Sequence, residues 1–299
     1  VIETTSLSLQ SFQEACDRVR LFDSAEAAQL QPTGHTRLFT YPHRTERVAV
    51  LFHGITNNPL QWEHFGLSLY AEGWNVLIPR LPYHGLQDLL TTLPAKLGVA
   101  DMVAYTKNAV EIGQGLGDNV AVVGLSAGGV YTAWAAQEYA IERAIVIAPL
   151  FGLHDLPLWV TPLATGVVRY LPNQMRWWDP KKKANHIPPH AYPQYSTHNM
   201  AETLTMGFRV QKRARVTPPQ CRDIMIITNA ADRAVSNAAT EAVADLWKRQ
   251  GTKIGSYQFA ATEGLPHDVI DITQPRGKPD LVYALLREVL AAKQESHPS

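Results

Sequence analysis

From about Arg47 onward, short apolar runs rich in β-branched residues alternate with longer stretches of helical periodicity, the pattern of a parallel sheet covered by helices on both faces. Arg47 to Phe52, Asn75 to Pro79, Asn119 to Gly124, Arg143 to Ala148, Asp223 to Thr228 and Gly255 to Phe259 each read as a buried strand. Helices are expected between them, over about 59–72, 100–115, 127–140, 237–250 and 279–293. Ahead of this rhythm, Ser11 to Ala28 is amphipathic and His35 to Tyr41 reads as an edge strand.

One interval breaks the alternation. Roughly 70 residues separate the strand ending near Ala148 from the one beginning at Asp223, far more than a βαβ connection needs. The stretch holds Trp159, Trp177, Trp178, several prolines and the run Lys181–Lys183, and it is too aromatic for a disordered linker. It reads as a mostly helical cap, residues 150–215, lying over the carboxyl edge of the sheet. The core is then 1–149 and 216–299, with an N-terminal helix and edge strand inside 1–46.

Composition narrows the partners. In 299 residues, 27 basic and 27 acidic side chains cancel, so the chain has no broad positive field for nucleic acid, and small neutral or amphiphilic molecules fit better. The two cysteines, Cys16 and Cys221, are too few for a disulfide framework; free thiols and one long-range bridge both stay open. No apolar run has the roughly 20 residues of a membrane span, so a soluble protein is expected. The chain starts at Val1, which leaves both a cytoplasmic and an exported location open. Oligomeric state is not legible, and no cofactor is expected.

The chemistry is concentrated in Gly124-Leu125-Ser126-Ala127-Gly128-Gly129, a G-x-S-x-G motif directly after an apolar strand and directly before a helical run. In that context the serine sits on a strained strand-to-helix turn whose crowding requires the flanking glycines. The following helix points its unpaired N–H groups at the serine, and the Ala127 N–H is the first candidate donor to an oxyanion. A second donor is expected from the loop after the first strand, His53-Gly54-Ile55-Thr56-Asn57-Asn58-Pro59, where the Ile55 N–H is assigned.

These residues together resemble the α/β-hydrolase superfamily, and within it the bacterial carboxylesterases and monoacylglycerol-lipase-like members. The resemblance rests on His53 to Pro59, similar to an HG-x-T-x-N/S-P oxyanion loop, and on the GLSAGG elbow; it covers about residues 46–293. It implies an α/β-hydrolase fold, a mostly parallel central sheet flanked by helices with a cap after the sixth strand, and late loops carrying an acid and a base. Of eleven histidines, His267 alone lies between the last strand and the C-terminal helix, which makes it the candidate base. Asp232 follows the preceding strand in a segment resembling the D-x-x-V of the family, with Asp268 and Asp271 as rivals close to the histidine in sequence. The order Ser126, Asp232, His267 is that of the superfamily.

The expectation is therefore a serine carboxylic-ester hydrolase working through an acyl-enzyme on Ser126, with a small ester as its partner. His53, Gly54, Tyr83, Trp159, Trp177 and Trp178 are the candidate substrate-binding residues, the tryptophans having a second reading as glue between cap and sheet. Thioester, lactone, polyester or amide hydrolysis on the same residues, acyl transfer to an alcohol, and a silent binding protein are the alternatives. Serine at 126 disfavours a dehalogenase or an epoxide hydrolase, which need a carboxylate there. His186, His190 and His198 invite a metal reading, but their proline-broken segment lacks an i,i+4 register to fix ligands. Lys181–Lys183 reads as solvated surface.

Overall fold

The computed structural model describes residues 12–185 and 188–292. In chain order the strands are β1 (Arg37–Phe39), β2 (Thr45–Phe52), β3 (Asn75–Ile78), β4 (Gly117–Leu125), β5 (Arg143–Ile147), β6 (Met175–Trp177), β7 (Gln194–Ser196), β8 (Asp223–Asn229) and β9 (Ile254–Phe259). The helices are α1 (Phe12–Val19), α2 (Leu21–Ser24), α3 (Leu60–Ala71), α4 (Val99–Leu116), α5 (Ala127–Glu138), α6 (Thr161–Val168), α7 (Thr197–Ala214), α8 (Asn237–Arg249) and α9 (Pro279–Ala291).

Seven strands form one sheet in the order β1-β3-β2-β4-β5-β8-β9. Only β1 runs antiparallel to its neighbour. The inner strands are apolar on both faces because both faces are covered: Val48 to Phe52 on β2, Val120 to Leu125 on β4 and all of β5 are buried. Helices α4, α5, α7 and α8 pack against one another as one layer. On the other side, α3 and α9 meet through Phe65 and Tyr283, with ring centroids 5.0 Å apart. Unlike the expected buried strand, β9 is an edge among the described residues: Gly255, Ser256, Tyr257 and Gln258 are exposed and only Phe259 is buried, because β9 has β8 on one side and no described strand on the other.

The interval between β5 and β8 is less purely helical than its sequence suggests. It contains α6, an antiparallel pair β6–β7 and α7. It opens after the fifth strand in chain order, one earlier than the resemblance implies, since the elements described before β1 are short helices. Its last helix belongs to the main core, because Met206, Val210 and Ala214 are fully buried in the same apolar cluster as the sheet. The part that stands outside that cluster ends near Ser196, where the Ser196 hydroxyl caps α7 by accepting the Asn199 N–H.

The N-terminal segment is clamped to the sheet by one buried cation. Arg80, just past β3, is 0% exposed. Its guanidinium donates to Asp23 Oδ1 at 3.2 Å, to Glu26 Oε2 at 2.5 Å, to the carbonyl of Phe22, and to the carbonyls of Leu81 and His84. A guanidinium removed from water needs all these acceptors, so α2 cannot leave without stranding a charge. Both cysteines are free thiols. Among the described residues, no helix is long and apolar enough to cross a membrane.

Candidate active site

Because β4, β8 and β9 run parallel, the loops after their carboxyl ends collect Ser126, Asp232 and His267 at one edge of the sheet. Ser126 sits between β4 and α5 with φ 61 and ψ −115, a backbone conformation that L-residues avoid. What holds it there is crowding. A Cβ on Gly128 would meet the Phe52 carbonyl oxygen at 2.0 Å, and one on Gly124 would meet the Gly128 carbonyl oxygen at 2.2 Å. Main-chain bonds secure the turn: Ser126 N–H donates to the Ile147 carbonyl at 3.0 Å, and the Ser126 carbonyl accepts from Leu150 at 3.1 Å.

The loop after β2 crosses directly over this turn. A Cβ on Gly54 would lie 3.7 Å from Ser126 Cβ and 3.7 Å from the Leu125 carbonyl oxygen, so the residue just before Ile55 packs against the serine turn. Among the described residues, neither the Ile55 N–H nor the Ala127 N–H has a hydrogen-bond partner, although Ile55 is 7% and Ala127 0% exposed. Both are desolvated donors without acceptors, and the one at the head of α5 lies where the helix favours negative charge.

Asp232 and His267 are joined. His267 Nδ1 lies 2.6 Å from Asp232 Oδ2, while Asp232 Oδ1 accepts the N–H groups of Ala234 at 2.7 Å and Val235 at 3.2 Å. A carboxylate can only accept, so Nδ1 carries the proton and Nε2 is left as the basic nitrogen. Burial alone would lower the His267 pKa, but the Asp232 charge and hydrogen bond, helped by Asp268, raise it above the usual imidazole value. Burial pushes the Asp232 pKa up, yet His267 and the two N–H groups bring it below the ordinary carboxylate value.

The rival acids are occupied elsewhere. Asp268 Oδ2 accepts from Gln61 Nε2 at 2.8 Å and from Asn57 Nδ2 at 3.3 Å. Asp271 Oδ2 lies 3.0 Å from His190 Nε2. Asn229, absent from the sequence candidates, donates from Nδ2 to the carbonyls of Leu265 and Pro266, both at 3.1 Å, and so ties the end of β8 to the loop carrying His267. Its only sequence signal is an amide ending an apolar strand.

Several candidate substrate contacts have other work. His53 is 1% exposed, with Nδ1 bonded to the Gly54 carbonyl and Nε2 accepting the Leu81 N–H. Burial, with the nearby His84, Arg80 and His190, outweighs the Gly54 carbonyl and pushes its pKa down to about 3, so His53 stands as a neutral strut between the loops after β2 and β3. Tyr83 borders a recess between α1, α2 and α4 that none of Ser126, Asp232 and His267 lines. Trp159 is 75% exposed, just ahead of α6. Trp177 is partly buried in β6. Trp178 does reach the site loop: Nε1 donates to Thr56 Oγ1 at 2.9 Å, and the ring packs 4.5 Å from that of Tyr195. Of the three histidines of the metal reading, His186 lies outside the described residues, while His190 faces Asp271 and His198 bonds the Leu171 carbonyl at 2.7 Å. Among the described residues, no group of three or more His, Cys, Asp or Glu side chains could hold a metal ion.

Solved structures share this architecture. One of the metagenome-derived lipolytic enzymes LipS and LipT matches with a TM-score of 0.64 at 19% identity, covering 88% of this chain and 99% of its own. The monoacylglycerol lipase of Paleococcus ferrophilus matches at 0.59 and 14% identity, covering 85% and 98%. A soluble variant of the Saccharomyces cerevisiae monoglyceride lipase, solved with a substrate analogue, matches at 0.61 and 13% identity, covering 85% and 89%. At such identities the likeness is one of fold. No curated protein matches the sequence significantly. The profile of the alpha/beta hydrolase family matches residues 49–276, three quarters of the chain, and the protein belongs to that family.

Proposed function

We propose that this hydrolase cleaves carboxylic esters through an acyl-enzyme on Ser126. The observation that carries the reading is the strained serine packed against Gly54, with the Ile55 and Ala127 N–H groups left without partners among the described residues, at the same sheet edge as a histidine whose tautomer is set by a buried carboxylate. In the proposed sequence, His267 Nε2 takes the Ser126 proton as Oγ attacks the ester carbonyl. The Ile55 and Ala127 N–H groups receive the oxyanion, and Asp232 stabilises the imidazolium. The proton then passes to the leaving alcohol, and water repeats the steps on the acyl-enzyme.

Residues between β5 and α7 act as the cap in this reading. Trp178 bonds Thr56, the Tyr192 N–H donates to the Thr56 carbonyl at 2.8 Å, and Asn58 Nδ2 donates to the His190 carbonyl at 3.1 Å. The cap is thus anchored on the loop that carries Ile55, and we assign Trp178, not Trp159, to the wall of the acyl site.

A series of p-nitrophenyl esters from acetate to palmitate tests the proposal. Hydrolysis of any member supports it, and the peak gives the acyl length. No hydrolysis across the series would defeat the ester reading in favour of thioesters or lactones. Because only neutral His267 can accept the serine proton and its pKa is raised, kcat/KM should increase with pH and reach half its plateau above 6.5, the ordinary imidazole value. A half-point below 6.5 would contradict the Asp232–His267 pairing as the base.

A further inference from the structure

Gln61 sits on the buried face of α3, 3% exposed, with both ends of its amide engaged. Oε1 accepts the Gly54 N–H at 2.8 Å and Nε2 donates to Asp268 Oδ2 at 2.8 Å. The polarity of this chain is not adjustable. A main-chain N–H only donates and a carboxylate only accepts, so the amide between them has one satisfying orientation. Asn57 Nδ2 reaches the same Oδ2 at 3.3 Å, while Oδ1 of Asp268 accepts the N–H groups of Ile270 at 3.2 Å and Asp271 at 3.1 Å.

One carboxylate therefore grips two segments 207 residues apart. Asp268 adjoins His267 on one side, and through Gln61 and Asn57 it holds both ends of the stretch containing Ile55 on the other. Gly54 gives that stretch its freedom to turn, so an external hold on the Gly54 N–H limits how the next peptide can rotate.

We propose that Gln61 and Asp268 form a positioning relay, fixing the Ile55 N–H over Ser126 and keeping that loop in register with the loop that carries His267. The relay rests on the esterase reading for its kinetic consequence. It touches no substrate; it acts through the main chain of Gly54, and amide exchange at Gly54 separates that effect from the Asp268 charge beside His267.

The polarity argument supplies the test. In Asp268→Asn, the oxygen needed by Ile270 and Asp271 leaves an NH2 facing Gln61, so a donor meets a donor or the Gln61 amide turns its NH2 on Gly54. In Gln61→Glu, two carboxylates face each other. Each single variant should lose about 10- to 100-fold in kcat with KM changed less than about threefold, a milder loss than deleting an oxyanion donor outright. The double variant Gln61→Glu with Asp268→Asn reverses the chain: the new carboxylate accepts from Gly54 and from the new amide, and the longer 3.3 Å contact of Asn57 Nδ2 is lost. It should recover to within about fivefold of wild type, a non-additivity expected of directly coupled residues.

Amide hydrogen exchange at Gly54 gives a readout independent of turnover: protection lost in both single variants and restored in the double. Singles with wild-type kcat, or a folded double no better than the worse single in kcat and Gly54 protection, would overturn the relay. Wild-type hydrolysis measured beside Ser126→Ala judges the esterase reading separately. If that reading fails, Gly54 exchange still decides whether the relay holds the loop.

Discussion

Ser126→Ala should lower kcat on the best p-nitrophenyl ester by roughly five to six orders of magnitude, with little change in KM. The hydroxyl is the only part removed. The φ of 61 at this position is imposed by close contacts of Gly124 and Gly128 with neighbouring backbone, and an alanine side chain fills the same Cβ position. The fold, the Ile55 and Ala127 N–H groups and the Asp232–His267 pair should persist, and some catalysis over water should survive from them. Mass spectrometry after a fluorophosphonate inhibitor checks the same claim: one adduct on Ser126 in wild type and none in the variant. A variant retaining a tenth of the wild-type rate would place the nucleophile elsewhere.

Asp232→Asn should cost about 10⁴-fold in kcat for a reason that can be read from its hydrogen bonds. The N–H groups of Ala234 and Val235 converge on Oδ1 and require an acceptor there. The asparagine oxygen goes to them, and its NH2 is left facing His267 Nδ1. To avoid two opposed donors the imidazole must move its proton to Nε2, the nitrogen that has to accept from Ser126. Raising the pH cannot repair a wrong tautomer, so the loss should persist on the alkaline plateau, whereas a mere change in the His267 pKa would vanish there. Wild-type-like activity on that plateau would show that Asp232 only tunes the histidine.

The sheet was legible because burial on both faces leaves an unambiguous mark. Runs such as Val48 to Phe52 and Ala144 to Ile147 are apolar at every position, and the helices between them lie within one or two residues of their expected ends. Gly255 to Phe259 was the weaker reading, since an edge strand carries the alternation and polarity of a surface. The segments of the candidate site were legible because the fold brings the loops after β4, β8 and β9 to one edge in a fixed chain order. What separates Asp232 from Asp268 and Asp271 is side-chain direction, which sequence spacing does not encode. The same limit hid Gln61 and Asn229, and it hid the Asp271 carboxylate as the partner of His190. Their partners are distant in the chain, and polar pairing leaves no periodic trace. His53 shows a related limit, because a histidine facing a pocket and one bolted between two backbones look identical in sequence.

The Arg80 clamp bears on where the smallest self-sufficient piece of this chain can be cut. The family match begins at residue 49, and a fragment trimmed to it would discard Phe22, Asp23 and Glu26, leaving a dehydrated guanidinium without its anions. The far side repeats the lesson, since Arg143 on β5 donates to the carbonyls of Val289 and Ala292, beyond the end of the match at residue 276. Detectable kinship and physical autonomy have different borders here: the unit that can keep its own charges satisfied reaches from before Phe22 to Ala292.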